Sequence, residues 1–269
     1  MRVRARAFWA PKAGNSAEEY EDAFWWEYGR IAIRPYPPGD DGRDTFRCAV
    51  ADGATETSFS GLWADLLARG FCKGRLDPDA LAAGLPGLQR VWRRLVGNRP
   101  LPWYAEEKVR SGAFAAVVGL TVLPATAQDG GPEGDGAGPP GGRWRALALG
   151  DSCLFRVRED AFVAFPVAHS TEFGNRPALL SSNPAANAGL ADRLPCAAGD
   201  WLPGDRFYLM TDALACWFLQ ATEVGGHPWD ALRDLAATSG SATFTGWVGE
   251  LRAGGGLRND DVTLVMVEV

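Results

Sequence analysis

Apolar positions along the chain follow two different periods. Short runs rich in Val, Phe, Leu and Ile recur at Ala23–Ile33, Thr45–Ala51, Phe114–Leu123, Trp144–Leu149, Cys153–Val157, Arg206–Thr211 and Val262–Val269. In the last run Val262, Leu264, Met266 and Glu268 alternate with Thr263, Val265 and Val267. Both of its faces are largely apolar, the pattern of a strand covered on two sides. Elsewhere the spacing becomes helical. Phe59, Leu62, Trp63, Leu66, Leu67 and Phe71 recur at i, i+3 and i+4, with Ser58 placed to cap. Leu88, Val91, Trp92 and Leu95 repeat that spacing, and 228–237 and 244–251 predict two more amphipathic helices, the latter carrying Phe244, Trp247, Val248 and Leu251. The order is strands, two helices, strands, two helices, strand. Helices grouped in pairs predict segregated layers, an α+β fold, rather than alternating βαβ units.

Two segments break the periodicity. Residues 128–142 read QDGGPEGDGAGPPGG and contain nothing that recovers ordering entropy by burial. Strand-like runs flank them closely, so a flexible hairpin insertion is expected rather than an interdomain linker. Residues 169–203 carry little apolar period but include Pro177, Ser181, Ser182, Asn183, Pro184 and Asn187, and are placed to form a lid. With 269 residues and no internal repeat, 1–269 reads as a single domain.

Composition narrows the chemistry. The chain is 46% apolar with 27 basic and 33 acidic residues, a formal net charge of −6. That balance argues against general affinity for nucleic acid or an anionic membrane. No run approaches the roughly 20 apolar residues that cross a bilayer. The basic start, with Arg2, Arg4 and Arg6, meets Pro11, Lys12 and Asn15 before any adequate apolar stretch, so no signal peptide is expected. Five scattered cysteines without a C-x-x-C pair point to reduced thiols and a cytoplasmic protein, monomeric by default. There are two histidines, His169 and His227, so carboxylates must carry any catalysis.

Several aspartates stand where an apolar run ends. Asp22 follows Glu21 at the first run, Asp52-Gly53 closes one, and Asp151 follows A-L-A-L-G. Asp212 follows F-Y-L-M-T, and Asp260-Asp261 introduces the last strand. One such residue alone is an ordinary turn or cap residue. Four or five converging from a rigid scaffold repel one another unless a cation neutralises them, and oxygen-only ligands suit Mg²⁺ or Mn²⁺.

These motifs resemble those of the metal-dependent serine/threonine protein phosphatases of type 2C, the PPM family, in its bacterial branch. Glu21-Asp22-Ala23 is similar to the first acidic motif, Val50-Ala51-Asp52-Gly53 to V-x-D-G, and Gly150-Asp151-Ser152 to G-D-S. Leu209-Met210-Thr211-Asp212-Ala213 resembles the strand ending in S/T-D-G, and Asp260-Asp261-Val262-Thr263 the closing D-N-x-T. Ser60-Gly61-x-Trp63-Ala64 adds a bacterial feature, and the five motifs stand in family order over nearly the whole chain.

The resemblance implies a four-layer α-β-β-α sandwich, two packed antiparallel sheets flanked by helix pairs. It implies two Mg²⁺ or Mn²⁺ ions: Asp52 bridging, the Gly53 carbonyl on one, Asp212 and Asp260 completing that shell, and Asp22 with Glu21 holding the second. Asp151 with Asp212 would serve a third ion. A metal-activated water held by Asp52, Asp22 and Asp212 would then attack phosphoserine or phosphothreonine of a phosphorylated protein from a kinase system, without a covalent intermediate.

The chain also departs from the pattern. Ala54 stands where well-known members carry His, Ala17 where they carry a phosphate-binding Arg, Ala213 for Gly, Cys216 for an acidic residue and Asp261 for Asn. Lys12, Arg4 and Arg6 are the candidates to replace the missing Arg. The departures motivate an alternative, a catalytically weak or inactive phosphatase-like binding module. A third option is a phosphatase for small phosphate esters.

Overall fold

Strands with two apolar faces need a cover on each side, and the fold supplies it in four layers. The computed structural model describes residues 1–26, 45–99, 109–125, 141–174, 177–189, 194–238 and 241–269. The predicted continuation of the first run to Ile33, residues 128–140 of the Gly/Pro-rich insertion, and 175–176 and 190–193 of the expected lid lie outside them.

One antiparallel sheet has the order β1-β11-β10-β6-β7, built from β1 (Arg4–Ala10), β6 (Cys153–Arg158), β7 (Ala161–Phe165), β10 (Arg206–Met210) and β11 (Val262–Glu268). The other runs β2-β3-β4-β5-β9, from β2 (Ala23–Trp26), β3 (Phe46–Gly53), β4 (Phe114–Pro124), β5 (Gly142–Leu149) and β9 (Cys196–Trp201), with the short β8 (Leu180–Ser181) pairing β4. Three apolar layers hold these sheets. Val50, Val118, Leu120, Leu154, Phe207, Leu209, Val265 and Val267 fill the space between them. Trp63, Leu67, Phe71, Leu88 and Trp92 of α1 (Ser60–Cys72) and α2 (Leu81–Gly97) cover the outer face of the β3 sheet. Leu214, Phe218, Trp229, Leu232, Phe244 and Val248 cover the β11 sheet from α3 (Asp212–Glu223), α4 (Pro228–Thr238) and α5 (Ser241–Ala253). β10 thus serves two interfaces: Phe207 and Leu209 face the partner sheet, while Tyr208 and Met210 face helices.

The α+β class and the paired antiparallel sheets are those expected; the details differ in four places. Three helices, not two, cover the β11 sheet. The extra one, α3, starts at Asp212, with only its N-cap Thr211 between it and β10, in a stretch to which the sequence pattern assigns no element. Ser58 does not cap α1; the cap position is Phe59, at φ +61° and without a side-chain cap bond, and Ser60 opens the helix. β1 was hidden by its arginines, although it pairs β11 over seven residues. The expected lid ends in an edge strand, since Cys196–Trp201 pairs with β5. None of the five cysteines forms a disulfide, and three of them are buried.

α1 seats on β4 at a point where only glycine fits. A Cβ on Gly119 would meet the Phe71 ring at 2.4 Å. Gly119→Ala is therefore predicted to destabilise the fold by about 1–3 kcal/mol through overpacking, read as a melting temperature several degrees lower. An unchanged melt would contradict this seating.

Candidate metal centre

The acidic motifs meet at one edge of the sandwich because every strand carrying them starts or stops there. β3 ends in Asp52-Gly53, paired to Ala116 and Ala115 of β4. A Cβ on Gly53 would lie 2.6 Å from the Glu21 carbonyl oxygen and 2.8 Å from the Ser60 carbonyl carbon. The missing side chain lets the Tyr20–Asp22 loop close against the end of β3. Asp22 directly precedes β2, whose Ala23 pairs Ala51. Asp151 sits in the turn from β5 into β6, where the chain crosses between sheets. Gly150 there has φ +95°, and a Cβ would stand 2.4 Å from that of Ala116, so Asp151 is presented by a turn that only glycine makes. Asp212 opens α3, and Asp260-Asp261 precede β11.

A polar seam ties these pieces together. Thr263 N–H donates to Thr211 Oγ1 at 3.0 Å, and Thr211 N–H to the Thr263 carbonyl at 3.2 Å. Thr263 Oγ1 donates to Asp22 Oδ2 at 2.7 Å and also shares a hydrogen bond with the Tyr20 hydroxyl. The Asp261 carboxylate accepts the backbone N–H groups of Lys12 and Glu21, each at 2.7 Å. Asp261 thus clamps the N-terminal loop onto the start of β11.

Burial pushes the Asp22 and Asp52 carboxyls far above the ordinary range. Asp261 and Asp212 add repulsion at Asp22, and Asp22, Asp212, Asp151 and Asp260 add it at Asp52. Asp151 is raised to about 6, first by burial and then by Asp212. Asp212 is also raised by burial, against the opposing charge of Arg258. Arg258 Nη2 donates to Asp212 Oδ2 at 2.7 Å, whereas Asp212 Oδ1 is buried and has no hydrogen-bond partner.

Among the described residues no three His, Cys, Asp or Glu side chains already form a coordination shell. Three of the carboxylates lean on partners of their own: Asp212 on Arg258, Asp22 on Thr263, and Glu21 on the Ser60 hydroxyl. The donor set nevertheless fits a hard divalent cation. It is all oxygen, strongly anionic, and includes the unpartnered Asp212 Oδ1.

The structure brings Asp22, Asp52, Asp151, Asp212 and Asp260 into one electrostatic cluster. Glu21 and Gly53 adjoin it at the start of α1. Lys12 reaches the rim, its Nζ 3.9 Å from Asp260. Arg4 and Arg6 do not reach it, which corrects the expectation for both. Ala10 is the β1 residue at this end, opposite Val262, whereas Arg4 lies opposite Glu268. Six residues of strand separate Arg4 from Ala10, roughly 20 Å. His169 is exposed beside Glu223, and His227 stacks on Trp229 at 4.9 Å, so neither belongs to the site. Ala17 begins a short 3₁₀ turn and is exposed.

Three features escaped sequence reasoning. Arg258 faces the acids from two residues before Asp260, and a basic residue next to an acidic pair was the available signal. Thr211 and Thr263 are bound across β10 and β11, a pairing only register reveals. Arg99 lies over the Phe59 ring at 5.0 Å and, with Glu21 and Thr55, lines a cavity of about 500 Å³ beside the cluster.

No family model and no curated protein matches the sequence. Solved structures match it over its whole length. The Mycobacterium tuberculosis serine/threonine phosphatase PstP/Ppp shares 14% identity at a TM-score of 0.56, covering 100% of this chain and 99% of its own. The catalytic domain of PstP in complex with two manganese ions gives 15%, 0.53, and 99% and 98%. The S. agalactiae serine/threonine phosphatase gives 12%, 0.54, and 99% of each chain. The likeness is one of fold.

A carboxyl with a raised pKa binds more protons folded than unfolded, so it stabilises the fold at low pH and loses that contribution as pH rises through the folded value. In chelator, thermal stability is therefore predicted to fall from about pH 4 to past the value of about 6 for Asp151. Asp151→Asn should flatten that fall, and millimolar Mn²⁺ should raise the melting temperature most at the alkaline end. Stability that climbs with pH in chelator would contradict the clustering.

Proposed function

We propose that this chain, which has the fold of bacterial serine/threonine phosphatases, is a metal-dependent phosphoprotein phosphatase acting on phosphoserine and phosphothreonine. The observation that carries the reading is the convergence of Asp22, Asp52, Asp151, Asp212 and Asp260 at one edge of paired sheets, with the buried Asp212 Oδ1 unpartnered. Asp52 and the Gly53 carbonyl, with Asp212 and Asp260, would hold one Mg²⁺ or Mn²⁺. Asp22, with Glu21 acting through water, would hold a second, and Asp151 with Asp212 a third. Bound there, such ions supply an acidified water and neutralise phosphoryl charge.

The protein's own groups set the rest. Thr263 fixes Asp22 through Oδ2, with the Thr211 hydroxyl close beside it. Lys12 and Arg258 flank the acids with positive charge at the rim, where a phosphate dianion approaches. Ala54 offers no proton to the departing alkoxide; its carbonyl instead accepts the Thr57 hydroxyl at 2.9 Å. Loss of a positioned general acid typically reduces a rate by ~10²–10⁴, so a slow enzyme is expected rather than a dead one. Phosphorylated proteins are the substrates proposed, from a serine/threonine kinase system, in the cytoplasm, where five cysteines outside any disulfide persist. Among the described residues no helix is long and apolar enough to cross a membrane.

The binding-module reading has one observation in its favour: Arg258 already neutralises Asp212. Turnover separates the two. Hydrolysis of a phosphothreonine peptide should require Mn²⁺ or Mg²⁺ and fall at least about 10³-fold in Asp52→Asn and Asp212→Asn, a loss of roughly 4 kcal/mol in transition-state stabilisation. Full activity in excess chelator would overturn the proposal. Tight Mn²⁺ binding without turnover would establish the module instead.

A further inference from the structure

The arginines that miss the acid cluster meet somewhere else. On the helix-facing side of the β11 sheet, Arg4 and Arg6 of β1, Arg206 of β10 and Arg233 of α4 line one cavity of about 410 Å³, together with Tyr208 and Glu268. It lies at the far end of the strands from the metal centre: Arg4 and Arg206 both stand opposite Glu268, whereas Val262 and Thr211 mark the acidic end. Four guanidinium groups against one lining carboxylate is a local reversal of a chain whose net charge is −6.

Two of these groups have no partner but each other. Tyr208 is fully buried, and its hydroxyl, which faces the Arg206 guanidinium, has no other hydrogen-bond partner. Nη1 of Arg206, on the same face of β10, is buried and likewise without another partner. Others are already engaged: Arg6 donates to the Ala236 carbonyl near the end of α4, and Arg233 pairs with Asp230 at 3.0 Å. These bonds fix two of the cavity walls and leave Arg4 and Arg206 as the remaining guanidinium groups lining it, beside Tyr208. A buried polar group without a partner is strongly disfavoured, so the complementary ligand brings several acceptor oxygens and negative charge. A guanidinium fork fits a phosphate in bidentate fashion, and the volume lies within the ~300–1,000 Å³ usual for small-molecule sites.

We propose that this cavity is a second anion site, separate from the metal centre, which binds the phosphate group of a small phosphorylated molecule or free phosphate. The assignment does not depend on the phosphatase reading, because none of its residues belongs to the acid cluster.

The test is calorimetric titration of the full chain with inorganic phosphate and with AMP, in chelator and in an Asp52→Asn background so that the metal centre takes no part. One saturable site is expected, weakened at least tenfold by Arg206→Gln and severalfold by Tyr208→Phe. Tighter binding of AMP would assign the site to an organic phosphate, and equal binding to the phosphate group alone. Tyr208→Phe should melt close to its parent, since its hydroxyl faces only the Arg206 guanidinium, and this separates lost binding from lost folding. No saturation by about 10 mM of either probe would overturn the proposal. So would binding indifferent to Arg206→Gln and Arg4→Gln, or a Tyr208→Phe variant that melts well below its parent.

Discussion

Everything at the functional edge follows from the repulsion of carboxylates held together by a scaffold that does not need them. Two unit charges about 5 Å apart repel by roughly 3 kcal/mol at an effective dielectric near 20, and repulsion of this kind adds to burial in raising Asp22, Asp52 and Asp151. The force that overrides them is apolar: three layers of buried side chains, between the sheets and under both helix sets, fix where each strand ends. Asp52 and Asp212 stand where they do because β3 and β10 are clamped on both faces, and Asp151 because Gly150 lets the chain turn against Ala116. The stored repulsion is what gives the edge its demand for cations.

Arg258 shows how the protein lives with that repulsion. Its guanidinium satisfies one oxygen of Asp212 and leaves the other unmatched. Asp261 solves the same problem differently, since its carboxylate is taken up by two backbone N–H groups. The departure from Asn at that position thus serves to close a loop, and the remaining acids carry the unbalanced charge. Positive charge is in turn distributed to two poles: Lys12 and Arg258 at the acidic edge, and the arginines of β1 and β10 at the other.

The layered α+β architecture was legible because β11 and its neighbours are apolar on both faces while the helices come in groups. The acids were legible because each closes or opens an apolar run. Three-dimensional register was not. Arg4 and Arg6 looked close to the site because they are close in sequence, yet β1 runs away from it as an extended strand. The Thr211–Thr263 seam joins residues 52 positions apart and leaves no local trace. α3 was concealed by following β10 without a turn, and the Ser58 cap failed because the chain enters α1 through a left-handed Phe59, while the Ser60 hydroxyl engages Glu21.

Whether the converging aspartates form a divalent-cation site is decided by anomalous diffraction from crystals soaked in Mn²⁺. Manganese peaks are expected bonded to Asp52, with Asp22, Asp212 and Asp260 among the ligands and Asp212 Oδ1 engaged. Crystals equilibrated with millimolar Mn²⁺ that show no peak at these carboxylates would contradict such a site.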